Sequence, residues 1–492
     1  MIEELYEFDG VAISKAVRNG ELDPVEITET TIANIEAVNP QLNAVIHPMY
    51  EEAKTVALHW QREVAAGRCN DTALCGVPFL LKDLLAEYAG APFNEGCKAL
   101  KGYVSKIDTE LVARQKAAGI VVLGKTNTPE FGGSPVTEPD LHGVTHNPWN
   151  LEHTPGGSSG GSAAMVAAGV VPMAHANDGG GSIRIPASCC GLFGMKPSRG
   201  RNPLGPLFGD MGSGIIYEHV VSRTVRDSAA MLDVTSGPDI GDPYWAPPVA
   251  RSFLEETSIE PGKLRIGFIT KLPAGWHETT TPHADCVAGV IDSATLCEDL
   301  GHEVVEVEPD TFAHPDMPGL FGPRFSSFTG HVIRYWEREI GRELTRDDVE
   351  DATWDWYQSS VELSAADYLQ SVEDGQRFTR KMARWYEDSN FDVLLMPTLA
   401  VPPVAIGAFN PNPEKPGQWL IDILNFVAFT YAYNITGQPA MSVPLCWNND
   451  ELPIGMQFIG RYGDEATLFR LAAQLEQQRP WINRRPPVHC GA

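Results

Sequence analysis

Four short apolar runs, each stopped by a turn or a charge, constrain the fold of this chain most. Gly76-Val77-Pro78-Phe79-Leu80-Leu81 ends at Lys82-Asp83, and Ile120-Val121-Val122-Leu123 ends at Gly124. A third run leads up to Asp178, and Asp392-Val393-Leu394-Leu395-Met396 ends at Pro397. Apolar runs of this length without polar alternation predict strands covered on both faces. Helical patterns lie between them. Asp23, Pro24 and Glu26 supply a capping acid, a first-turn proline and an early acid. Ile32, Ile35 and Val38 follow at helical spacing, and Asn39-Pro40 is expected to stop that helix. Residues 109–118 and the Ala-rich stretch SAAMVAAGVV predict two more helices. Strands alternating with helices predict an α/β architecture around a largely buried sheet.

From about Gly237 to Asn390 the texture changes. Acids and aromatics increase, among them Trp245, Trp276, Trp336, Trp354 and Trp356, and strand signals thin out. No internal repeat or low-complexity linker divides the chain, so one domain over residues 1–492 is expected. Within it we distinguish an N-terminal helical segment (1–65), a core (66–236), a variable helical insertion (237–390) and a C-terminal return to the core (391–492).

The charge excludes some partners. With 37 Lys and Arg against 64 Asp and Glu, the net charge is −27, which repels nucleic acid and anionic membranes. The nine cysteines are odd in number and contain no C-x-x-C pair, and the start MIEELYEFDG lacks a targeting pattern. No apolar run approaches the roughly 18 residues of a membrane span. These features predict a cytoplasmic chain with reduced thiols.

Two glycine-serine clusters carry the chemical signal. TPGGSSGGS (154–162) contains G-x-S-x-G, the form of a serine-hydrolase elbow, but polar, proline-broken residues stand where that elbow needs a strand. It lacks the lysine of a phosphate-binding loop, having Ser162 there. In DGGGSIR (178–184), consecutive glycines before Ser182 leave backbone N–H groups free to converge on an oxyanion; a tight turn reads equally well. A serine nucleophile needs a base. None of the thirteen histidines stands in a recognisable relation to Ser182, and His175 reads as a core residue. Lys82, at the end of an apolar run, becomes a base if burial strips its proton; otherwise it is a charge emerging at a strand end.

Taken together, GVPFLLKD, TPGGSSGGSAAMVAAGVVP and DGGGSIRIPASCCGLFGMKPSRG resemble the amidase signature family, down to the closing K-P-[ST]-x-G-R pattern. GKTNTPEFG, NPWN, SRTVRDSA, DVLLMPT and YNITGQPAMSVP resemble further landmarks, so the likeness runs from about residue 10 to about residue 480. It implies a mixed, twisted β-sheet flanked by helices on both faces. It also implies a catalytic triad of Lys82, Ser158 and Ser182, with Ser182 the nucleophile. Ser158, after a cis peptide bond from Gly157, would relay protons to neutral Lys82. Gly179, Gly180, Gly181 and Ser182 would form the oxyanion hole, with Asp178, Arg184 and Asn177 supporting the site from behind. Ser159 and Ser162 are expected to bond the loop backbone, and Cys189 and Cys190 to be buried thiols. No metal or cofactor is implied.

Two departures touch the pocket: Asn177 stands where many members have threonine, and His219-Val220 where Gly-Pro is common. EIGRELTRDDVE (339–350) and AFTYAYNITGQPA (428–440) resemble the 6-aminohexanoate cyclic-dimer hydrolase branch. That implies an aliphatic, even cyclic, amide as substrate, aromatics of the insertion at the pocket mouth, and His219 and Asn434 as substrate contacts. The alternatives are the glutaminase subunit of a tRNA-dependent amidotransferase, an aryl-amide, urethane or ester hydrolase of the same fold, and a non-catalytic binding protein. A homodimer is compatible with each reading.

Overall fold

The apolar runs become strands, and eight of the eleven strands among the described residues join one mixed sheet. The computed structural model describes residues 2, 4–277, 280–410, 414, 415 and 418–491. In chain order the strands are β1 (Val45–Pro48), β2 (Pro78–Lys82), β3 (Val121–Thr126), β4 (Met173–Asp178), β5 (Phe193–Lys196) and β6 (Tyr217–Ser222). They continue as β7 (Arg265–Phe268), β8 (Glu303–Glu306), β9 (Val393–Pro397), β10 (Ala440–Trp447) and β11 (Pro453–Ile459). The large sheet runs in the order β4-β6-β5-β10-β11-β9-β7-β8. Its β9-β7-β8 edge is parallel and the remaining pairings are antiparallel. A second sheet, β1-β3-β2, places β2 parallel to β3.

Strand β9 shows why the runs are apolar throughout. Val393 and Leu395 join a core with the helices Ala284–Asp299 and Glu465–Gln478. Leu394 and Met396 join another with the helices Met317–Ile340 and Ala365–Ser389. Successive side chains of a strand point to opposite faces, so a sheet covered on both sides favours apolar residues at every position and requires a partner for each polar one. Truncating Leu394, Leu395 or Met396 to alanine costs about 2–5 kcal/mol.

The helix predicted from Asp23 starts as expected, with the Asp23 side chain accepting from Val25 N and Pro24 in the first turn. It does not stop at Asn39-Pro40 but runs to Leu42. The stop is Asn43, in the left-handed conformation, while the Asn39 amide oxygen takes up Ala44 N and Val45 N beyond the end. The stretch 237–390 is mainly helical, yet it also supplies β7 and β8 at the sheet edge. These four-residue strands escape sequence reading because only Ile266 and Gly267 of the eight residues are buried.

Candidate active site

Three chain segments meet at the C-terminal ends of β2 and β4. Lys82 ends β2, and its side chain is fully buried. Ser158 precedes the helix Gly160–Ala167 and follows a cis peptide bond from Gly157. No side chain fits at Gly157: a Cβ there would lie 2.7 Å from Pro135 C and Val136 N. The loop thus holds Ser158 against Lys82, whose Nζ lies 2.6 Å from Ser158 Oγ and 2.5 Å from the Asn177 amide oxygen.

Burial pushes the Lys82 ammonium down to about 7, against the opposing pull of Glu218, Asp178 and Glu95. Removing the hydration of a cation favours its neutral form. A lysine so placed holds a lone pair near neutral pH and can accept a proton from the hydroxyl it touches.

Beyond β4 the chain turns through Gly179, Gly180, Gly181 and Ser182 into the helix Arg184–Cys190. None of these four backbone N–H groups donates to an acceptor among the described residues. Buried or half-buried donors left open beside a serine are what a developing oxyanion requires. Gly181 has φ +138, and a Cβ there would meet Thr430 Oγ1 at 2.6 Å, so only glycine fits the turn. The turn is anchored from behind. Arg184 forks onto Asp178 through Nε and Nη2, both at 2.9 Å, and reaches Thr430 O and Gln457 Oε1 through Nη1. Thr430 Oγ1 donates to Gly180 O at 2.6 Å. Burial works to raise the Asp178 carboxyl, but Arg184, aided by Asn434, holds it below the ordinary carboxylate range. A fully paired buried charge orients the loop instead of titrating.

Ser158 and Ser182 open on one cavity of about 180 Å³. Ser158 bonds Lys82, and it shares no hydrogen bond with Ser182. The walls are Leu84, Ile185, Phe321, Phe325, Trp356 and further aliphatic and aromatic side chains. None of the described lining residues carries a charge.

This geometry agrees with the comparisons to known proteins. The Amidase family model matches residues 26–469. The chain belongs to the amidase signature family. It is 39% identical to the 6-aminohexanoate-cyclic-dimer hydrolase of Paenarthrobacter ureafaciens, over 98% of this chain and 96% of that one. A structure of 6-aminohexanoate cyclic dimer hydrolase complexed with substrate superimposes with a TM-score of 0.91 at 37% identity, covering 99% of both chains. A bacterial aryl acylamidase of the family superimposes with a TM-score of 0.87 at 28% identity, covering 98% of each. This protein is therefore an amidase-family hydrolase acting on C–N bonds, and its mixed sheet with helices on both faces is the family fold.

The amidase places several residues elsewhere than expected. His219 does not reach the cavity: it is buried in β6, its Nε2 2.8 Å from Ser228 Oγ, because β6 lies between β4 and β5 with both faces covered. Burial pushes its imidazole down to about 3. Asn434 is also buried away from the cavity. Its amide oxygen accepts from Arg184 Nη2 at 2.6 Å and its nitrogen donates to Asp178 Oδ1 at 2.7 Å, so it braces the loop and does not line the cavity. Asn177, expected behind the site, also lines the cavity. Ser159 and Ser162 bond the backbone at Asn177 O and His175 O, and Cys189 and Cys190 are fully buried. His175 is a core residue paired with Glu218 at 2.5 Å. Thr430 and Gln457 escaped sequence reasoning, since their roles depend on contacts across more than 200 residues. No helix among the described residues is long and apolar enough to cross a membrane.

Proposed function

We propose that this amidase hydrolyses small neutral amides, aliphatic or cyclic, through an acyl-enzyme on Ser182. The supporting observation is a cavity whose described walls carry no charge, with Lys82 and Ser158 joined at its base. Ser182 Oγ attacks the amide carbonyl carbon as its proton passes to Ser158, whose own proton passes to neutral Lys82. The carbonyl oxygen becomes an oxyanion facing the N–H groups of residues 179–182. The proton then returns through Ser158 to the amide nitrogen, the C–N bond breaks and the amine departs. Water repeats the sequence on the ester, releasing a carboxylate and restoring Ser182. That Ser182 and Ser158 line the same cavity supports this relay.

The likeness to 6-aminohexanoate-cyclic-dimer hydrolase favours a cyclic, uncharged oligoamide as substrate. A second reading, aryl amides, is favoured by the ring-rich wall of Phe321, Phe325, Phe328 and Trp356 together with the likeness to an aryl acylamidase. Free glutamine fits poorly, because its ammonium and carboxylate would lose their hydration without a partner. The test is kcat/KM across a cyclic diamide, a linear aliphatic amide, an anilide and glutamine, with a fluorophosphonate label on the nucleophile. The neutral amides should exceed glutamine by at least about 100-fold. Labelling that survives Ser182→Ala, or glutamine as the best substrate, would overturn the reading.

A further inference from the structure

A second cavity, of about 440 Å³, lies between the segment after β5 and the helix Ala365–Ser389. It shares no lining residue with the catalytic cavity. Its wall contains Arg199, Tyr244, Tyr462, Thr379 and Ala383. Arg199 occupies the free position of the K-P-[ST]-x-G-R pattern, so its side chain is a feature of this chain and not of that motif.

The arginines nearby differ in one respect. Arg201 pairs with Glu465 at 2.9 Å, and Arg461, also on the cavity wall, pairs with Glu387 at 2.7 Å. No ion pair among the described residues includes Arg199. Its Nε donates to Gly214 O at 2.8 Å and its Nη2 to Asn434 O and Ile435 O at 3.2 and 2.7 Å, all neutral carbonyls. Nη1 joins none of these bonds. A second guanidinium stands behind it: Arg324 donates to Ser371 O and Val372 O, and its buried Nε has no acceptor. Burial and the charge of Arg199 together push Arg324 down to about 10. Two carboxylates stand near this site: Asp210, which acts on Arg324 and accepts from Tyr244 Oη at 3.0 Å, and Glu387 on the cavity wall, held by Arg461; among the described residues neither is ion-paired to Arg199 or Arg324.

We propose that this cavity binds a small organic carboxylate, its carboxyl group on Arg199 and its tail against Tyr244, Tyr462 and Ala383. Nη1, the guanidinium nitrogen left without an acceptor, can donate a charge-assisted bond to a carboxylate oxygen. The volume and the rings beside Arg199 suit a ligand with a carbon tail, since an inorganic oxyanion would leave most of the space unfilled.

The test is calorimetric titration of the full chain with sodium hexanoate, with hexan-1-ol as the uncharged counterpart. Two variants locate the event. Ala383→Phe fills the cavity from an exposed helix position and leaves Arg199 in place, so it keeps the test valid even where Arg199→Gln lowers stability. Hexanoate should bind the parent at a site that both variants weaken at least about tenfold and that hexan-1-ol does not occupy. Any event shared equally by parent and Ala383→Phe belongs to the catalytic cavity, and finding only such an event overturns the proposal. So does equal binding of hexan-1-ol, or the absence of binding up to about 10 mM.

Discussion

The Asn177 amide oxygen lies 2.5 Å from Lys82 Nζ, while the same amide's nitrogen donates to Leu84 O at 3.0 Å. The Leu84 carbonyl can only accept, so it fixes which end of the amide faces the lysine. A neutral acceptor orients Lys82 without pulling a proton onto it. Asn177→Asp would place an anion at that position and favour the ammonium. The acid limb of kcat/KM should then move to higher pH by at least about one unit. A limb that stays in place would show that Lys82 is not the group being titrated.

In the parent enzyme, activity should rise about tenfold per pH unit below 7 and level off above it, as Lys82 passes to its neutral form. The same burial has a stability signature. The folded pKa of about 7 lies below the ordinary 10.5, so between those values the unfolded chain binds more protons and stability rises with pH. Below 7 the cost of the buried ammonium is present in full. Lys82→Met, expected to be inactive, should therefore raise the thermal midpoint most below pH 7, with the gain fading toward pH 10.5. Melting curves from pH 6 to 10 check the sign.

Thr430 Oγ1 holds Gly180 O at 2.6 Å, from a segment 250 residues away. Thr430→Val keeps the shape and removes the hydroxyl, leaving the turn less well aimed. We expect kcat to fall about tenfold with KM little changed, at a stability cost of about 1 kcal/mol. Equal losses in kcat and KM-independent binding of a neutral inhibitor would point instead to a collapsed pocket.

Gly132 has φ +69, and a Cβ there would lie 2.7 Å from Leu84 Cδ2 and 3.2 Å from Ser158 Oγ. Gly132→Ala should press on the relay hydroxyl and lower kcat at least about tenfold, with a stability loss of about 1 kcal/mol from the left-handed backbone. Because Ser182 is not displaced directly, its fluorophosphonate labelling should slow and still reach one label per chain. Unchanged kinetics would show that the loop yields without cost to the relay.

Much of this site is legible along the chain because its parts are local. A buried apolar run announces a strand, and the charge that ends it is Lys82; a glycine cluster announces a turn where the backbone must come close. The apolar texture of β2, β3 and β9, the acidic composition and the three motif segments were all readable from residue order. Such features depend on neighbours a few positions apart, and sequence displays those neighbours directly.

What the tertiary structure alone decided depends on contacts between distant segments. That Asn434 braces Asp178 and Arg184, while His219 is buried against Ser228 of the helix Val225–Thr235, follows from which elements lie next to each other. Strand β7 exists because β9 offers it an edge, and β8 because β7 does in turn, while their own residues show little pattern. Whether Lys82 is a base at all rests on the removal of water around it by Ser158, Asn177 and the packed sheet behind them. Residue order placed that lysine at the end of a strand. Only close packing, by removing its hydration, made it able to take a proton.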